Sequence, residues 1–342
     1  MTSVRAATRY ISADSHVSEP PDLWETRLPL ALREAGPHFA PRTESRRFDH
    51  PGGFDPAERA KEMASDHVDA EILYPTYGLT MYKMRDAALQ KACFRVYNEW
   101  LHEYCAAATA PVYAVGMIPT YDIQDAVSEL EWCHEHGFIG GMVWQVPPPE
   151  LSLVSNHYDS LWDAAQQLEM PISFHILTGF NYSAERNEPN DIESSRSSVN
   201  RKTAELADTV FDLIFSGTLA RFPRLKVAIV EGEIGWLPFQ LQQWDYYFHR
   251  FQKTRNLPIN QQPSDYFYRQ IYSTFFKDAV GGQLLSSWGQ DNCLWSTDYP
   301  HGNSQWPNSM AVLDRNLGHL PEGVIRKLVQ DNVTNLYGLD RR

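Results

Sequence analysis

Eight short apolar runs, each followed by a longer stretch with helical spacing, constrain this chain more than any other feature. The runs are 9–13, 70–74, 112–118, 138–144, 171–176, 225–230, 270–274 and 292–296. Each has strand length, and most are nearly continuous in apolar residues. That is the pattern of strands covered on both faces of a parallel sheet. Helical patterns fill the intervals. One opens at Asp55-Pro56, a capping residue followed by proline at the first helical position, and runs through Met63 to about residue 67. The others span 83–108, 122–137 (closing on Gly137), 156–168, 198–222, 237–251, 278–288 and 321–336. Eight strands alternating with eight helices is the count of a closed (β/α)8 ring, although an open doubly wound sheet gives the same alternation.

The expected fold class is therefore α/β, a single (β/α)8 TIM-like barrel over residues 1–342. Two segments exceed a minimal barrel, 19–54 after the first strand and 177–200 after the fifth. Both are expected at the C-terminal strand ends, where loops shape a site. Residues 258–263 read as a surface linker. No internal repeat or second-domain boundary is visible.

With 43% hydrophobic and 21% charged residues, the chain has material for a large core, which sets disorder aside. A net charge of −13 repels phosphate backbones and sets nucleic acid aside. Cys93, Cys105, Cys133 and Cys293 form no CxxC pair and read as thiols of a reducing compartment. No signal-peptide pattern and no membrane-length apolar run appears, so the cytoplasm is the expected location. The helices are rich in aromatics, which makes a homodimer the expected assembly.

The first run ends Asp14-Ser15-His16. Alternate residues of a strand share a face, so Asp14 and His16 can point together into a barrel mouth. His175 lies in the fifth run, where it reads either as a core histidine or as a ligand. Asp298 falls where the eighth run stops, either as a turn residue or as a ligand that also accepts a proton from bound water. All four stand at strand ends that a barrel brings to one rim. Two imidazoles and two carboxylates there suit Zn2+, Mn2+ or Fe2+ with a position left open for water. Glu231 ends the sixth run and reads as a ligand, a proton carrier or a helix-start acid; His301 follows Asp298 by three residues and can face substrate or a second metal. Arg46, Arg47 and His50 in the first insertion read as a solvated face or as partners for a substrate carboxylate. No P-loop, GxGxxG, GxSxG or HExxH pattern occurs, and Trp144-Gln145 rather than a lysine ends the fourth run.

The stretch from Asp14-Ser15-His16 through Glu19-Pro20-Pro21-Asp22-Leu23-Trp24 resembles the opening of the amidohydrolase-related family. Phe174-His175 is similar to its fifth strand. Phe222-Pro223-Arg224-Leu225-Lys226 and the segment from Glu231-Gly232-Glu233 to Pro238 resemble its sixth strand and the turn after it. Ser296-Thr297-Asp298-Tyr299-Pro300-His301 resembles its eighth strand. The resemblance covers about residues 10–337. It implies a distorted barrel with one catalytic metal, commonly Zn2+ or Mn2+, in hydrolases, hydratases and non-oxidative decarboxylases. Members similar to aminocarboxymuconate-semialdehyde decarboxylase carry His-x-His on the first strand, and those similar to γ-resorcylate decarboxylase a carboxylate in the first position; Asp14-x-His16 shares a feature with each. The decarboxylases place a histidine at the end of the sixth strand, where this chain has Glu231.

The leading expectation is a metal-dependent hydrolase or carboxy-lyase acting on a small organic acid. Asp14, His16, His175 and Asp298 hold the metal, and Asp298, Glu231 and His301 serve the chemistry. A second expectation is an oxygenase with a dinuclear Fe or Fe/Mn centre that includes Glu231, as in relatives similar to aminoisobutyrate hydroxylase. A third is an inactive partner subunit of a hetero-oligomer.

Overall fold

The computed structural model describes residues 8–40, 50–180, 182 and 190–341. Its strands are β1 (Ile11–His16), β2 (Ala70–Tyr74), β3 (Val112–Met117), β4 (Gly140–Val143), β5 (Ile172–His175), β6 (Val227–Val230), β7 (Ile271–Phe275) and β8 (Cys293–Trp295). They form one sheet in sequential order, parallel at every ladder. At the seam the Asp298 N–H donates to the Asp14 carbonyl at 3.0 Å and the His16 N–H to the Tyr299 carbonyl at 2.6 Å. Sequential order with a bridged seam gives a nearly closed TIM-like barrel and rules out the open sheet, in which strand order reverses.

The continuous apolar runs follow from this ring. Inner faces fill the barrel and outer faces meet helices, so β1, β2, β4, β5, β6 and β8 are buried at every residue. Trp24, Trp144, Trp162 and Trp295 are the largest of the fully buried side chains. Each fully buried Leu, Ile or Phe contributes about 1.5–3 kcal/mol.

Several helix ends stand where capping residues put them. The Asp55 carboxylate accepts from the N–H groups of Ala57 and Glu58 and opens the Pro56–Ser65 helix. Asp122 does the same for Ile123–Glu135, and Gly137 turns the chain at φ +80°. The helix expected from residue 83 instead starts at Ala87, capped by Asp86. The stretch 198–222 holds two helices, Arg201–Phe215 and Thr218–Arg221, parted by Gly217 at φ +78°. The segment at 278–288 is helical only over Ala279–Leu284, and the last one widens through a π turn at Lys327–Asp331. The proline read as ending a linker, Pro263, is the first residue of a helix, Pro263–Gln270, so β7 starts one residue later than expected. A further helix, Ser309–Leu317, was not expected. Arg46 and Arg47 lie outside the described residues.

Candidate metal centre

β1 slips against β2 between Ser12 and Ser15. Such a bulge re-aims side chains. Asp14, within it, and His16, beyond it, both project to the C-terminal mouth, where His175 at the end of β5 and Asp298 after β8 meet them; all four are fully buried. His16 Nε2 stands 3.4 Å from Asp14 Oδ1 and 3.5 Å from Asp298 Oδ1. His175 Nε2 stands 3.7 Å from Asp14 Oδ1 and 3.3 Å from His16 Nε2.

Backbone carbonyls fix which ring nitrogen faces inward. His16 Nδ1 lies 2.7 Å from the Pro75 carbonyl oxygen and His175 Nδ1 2.9 Å from that of Ile176. A carbonyl only accepts, so both Nδ1 atoms carry hydrogen and both Nε2 atoms keep a lone pair. Those two lone pairs face each other and the Asp14 carboxylate with no proton to share in the neutral rings. Neither oxygen of Asp14 or Asp298 has a hydrogen-bond partner among the described residues. Buried acceptors left unmet are costly. Two imidazole lone pairs and two bare carboxylates in one pocket are the donor set that a divalent cation satisfies.

Two overlapping groups have ligand atoms within 4.8 Å of one another: Asp14, His16 and His175; and His16, Glu231, Asp298 and His301. The sequence-chosen four are thus brought to one place, with Asp298 reaching the others through His16. Glu231 Oε2 is 4.0 Å from His175 Nε2, and His301 Nδ1 is 2.8 Å from Asp298 Oδ1 without hydrogen-bond alignment. The His301 ring stacks on His16 with centroids 3.8 Å apart. His50 lies farther out, in a cavity it lines with Tyr299, His301 and Trp306.

Glu231 and Asp298 sit at φ 58° and 56°, in the left-handed region that non-glycine residues seldom adopt. Such strain costs about 1–3 kcal/mol per residue and gathers at functional sites. Burial is the largest influence on every site group. It pushes Glu231 up to about 7, helped by the Asp298 charge, and Asp298 up to about 7 against the pull of His16. Burial would raise Asp14 too, but the imidazoles of His16 and His175 outweigh it and hold Asp14 below the usual carboxylate range. Burial lowers His16 and drives His301 down to about 3, whereas in His175 the Asp14 contact overcomes burial and raises it.

Sequence reasoning missed three residues here. Lys202 places Nζ 3.5 Å from Glu231 Oε1. Thr76 Oγ1 lies 3.0 Å from His301 Nε2. Glu19 is a buried carboxylate that accepts from the backbone just past β2. None carries a local signal, because each partner is distant along the chain.

A family model described as "Amidohydrolase" matches residues 13–339. Among solved structures, the chain is similar to an amidohydrolase from Mycobacterium avium subsp. paratuberculosis K-10, at TM-score 0.81 and 19% identity, covering 97% of this chain and 100% of that one. It is similar to a dihydroxybenzoic acid decarboxylase from Polaromonas sp. JS666 with bound manganese and the inhibitor 2-nitroresorcinol, at TM-score 0.73 and 20% identity over 98% of both chains. It is also similar to 5-carboxyvanillate decarboxylase from Novosphingobium aromaticivorans, complexed with manganese and 4-hydroxy-3-methoxy-5-nitrobenzoic acid, at TM-score 0.77 and 16% identity over 97% of this chain and 96% of that one. No curated protein matches the sequence. Among the described residues, no helix is long and apolar enough to cross a membrane.

Proposed function

The chain belongs to the amidohydrolase family, and from that premise we propose that it is a metal-dependent, non-oxidative decarboxylase of a small aromatic acid. The observation that carries the metal is the pair of buried carboxylates, Asp14 and Asp298, left without hydrogen-bond partners beside two inward-facing Nε2 atoms. These four residues hold one Mn2+ or Zn2+. When bound, the cation polarises a substrate oxygen and stabilises negative charge that builds on it. The ligands of the decarboxylase structures above support the aromatic acid.

The chain's own groups supply the rest. Lys202, beside Glu231, brings positive charge to a mouth otherwise lined by carboxylates and favours an anionic substrate. Asp298, whose two carboxylate oxygens meet no hydrogen-bond donor among the described residues, can ligate through one oxygen and carry a proton on the other. Transfer of that proton to the ring carbon bearing the carboxylate forms a C–H bond. The C–C bond then breaks, its electron pair restores the aromatic ring, and CO2 leaves. Asp298, now a carboxylate, regains a proton from water. Glu231 is the alternative proton carrier, and the burial around both groups keeps bulk water from competing.

The test is incubation of Mn2+-loaded protein with 2,6-dihydroxybenzoate, 5-carboxyvanillate and related hydroxybenzoates while released CO2 is measured. Decarboxylation of at least one, abolished by chelation, is the expected result. Hydrolysis of esters or lactones with no CO2 from any acid would replace the proposal with a hydrolase on the same site.

One observation favours a second reading. The overlapping group His16, Glu231, Asp298 and His301 offers ligands for another ion, as a dinuclear Fe or Fe/Mn oxygenase needs. Against it, Lys202 already faces the Glu231 carboxylate. Two metals per chain together with oxygen uptake would establish this second reading.

A further inference from the structure

Three residues beyond His16 the chain places a carboxylate in a fully buried position, and no cation meets it in any ion pair among the described residues. Glu19 instead takes three backbone donors from the turn after β2. Oε2 accepts from Thr76 N–H at 3.3 Å and Tyr77 N–H at 3.0 Å, and Oε1 from Gly78 N–H at 2.9 Å. Both oxygens are thus engaged by donors alone.

The turn so held carries the two contacts that orient the imidazoles. The Pro75 carbonyl accepts from His16 Nδ1, and Thr76 Oγ1 lies against His301 Nε2. The Pro75 carbonyl and the Thr76 N–H belong to one planar trans peptide group, so they point in opposite directions. Glu19 grips that plane by its N–H and thereby aims its C=O at His16. A shift of the turn would break the Nδ1 contact and let the proton of His16 move to Nε2, where it would occupy the lone pair that the metal requires.

We propose that Glu19 is the positioning residue of the centre, fixing the tautomer of His16 and the ring of His301 through the turn at residues 75–78. It touches neither metal nor substrate. Its role needs a carboxylate rather than an amide. Glutamine offers one acceptor oxygen and turns an NH2 group toward at least one backbone N–H, leaving donor against donor.

The tautomer arm of the test is independent of the decarboxylase reading; the metal arm rests on its metal site. In metal-free protein labelled with 15N-histidine, the His16 signal is assigned by its loss in His16→Asn. Its ring shifts are expected to report the Nδ1–H tautomer in the native chain and a mixture in Glu19→Gln. In parallel, Mn2+ affinity by calorimetry is expected to fall 10–100-fold, the usual range for loss of an outer partner of a metal-binding histidine, and Glu19→Asp, which keeps the charge but shortens the reach, should fall in the same direction. A folded Glu19→Gln protein with the native His16 tautomer and native Mn2+ affinity would overturn the proposal. So would loss of the fold in both variants, which would make Glu19 purely structural. A native chain that binds no Mn2+ but shows the tautomer change would overturn the metal reading and leave the positioning role standing.

Discussion

Asp298 joins three properties in one side chain: a left-handed backbone, a carboxylate with no hydrogen-bond partner among the described residues, and a pKa pushed up to about 7 by burial. Asparagine tolerates the same backbone, so Asp298→Asn keeps the turn and removes the acid together with one charged metal ligand. The metal-free variant should melt at or above the native temperature at pH 8, because a buried charge with no hydrogen-bond partner is gone. Its decarboxylation rate should drop about 10²–10⁴-fold, the range for loss of a general acid. A melting curve and kcat measured together check both. The raised values also set a pH dependence. Without metal, Asp298 and Glu231 bind protons up to about pH 7, so their favourable contribution to the apo fold is complete at low pH and is lost as pH rises through about 7. The cation competes with the proton for the Asp298 carboxylate. Mn2+ affinity, and with it the rise in melting temperature on adding Mn2+, should therefore increase from pH 5.5 to 8 and level off above. An affinity independent of pH across that range would show that Asp298 does not bind the ion.

At the scale of elements, the seam between β1 and β8 depends on buried polar groups. Ser12 Oγ accepts from the Thr297 N–H at 2.9 Å, and Ser15 Oγ donates to Glu71 at 3.1 Å and lies 2.9 Å from Ser12 Oγ. Arg59, on the Pro56–Ser65 helix, pairs with Glu71 at 2.6 Å and donates to the His16 carbonyl. Arg59→Met leaves the Glu71 charge buried alone and should destabilise the barrel by about 3–5 kcal/mol, whereas the double variant Arg59→Met, Glu71→Leu should regain most of that. Chemical denaturation of the three proteins measures it. These elements also show what the sequence reveals. Continuous apolar runs reveal buried strands, and Asp55-Pro56 reveals a helix start, because both signals are local. The Pro263–Gln270 helix is hidden because it is only eight residues long and its buried stripe, Pro263, Tyr266, Phe267 and Gln270, sets a proline and a glutamine beside the two aromatics, so it does not read as an apolar face. Ser309–Leu317 is short and follows a Gly- and Asn-containing stretch that reads as loop.

For the whole molecule, the ring of strands turns distant positions into neighbours. Asp14, His16, His175 and Asp298 are legible in the sequence because each ends an apolar run, and sequential strand order brings all such ends to one rim. Lys202 is not legible, because its position on the helix after the second insertion is set by packing and not by spacing. Glu19 is not, because its partners are backbone groups, which every residue has. The choice between decarboxylation, hydrolysis and oxygenation is likewise absent from strand-end residues, which are shared by enzymes of different reaction. All three share the premise of a cation in this pocket. The most direct measurement of that premise is anomalous diffraction at the manganese edge from crystals of the protein soaked in Mn2+. The account predicts one strong peak per chain, within coordination distance of Asp14, His16, His175 and Asp298. A peak held by other residues, or none at this rim in saturating Mn2+, would contradict it.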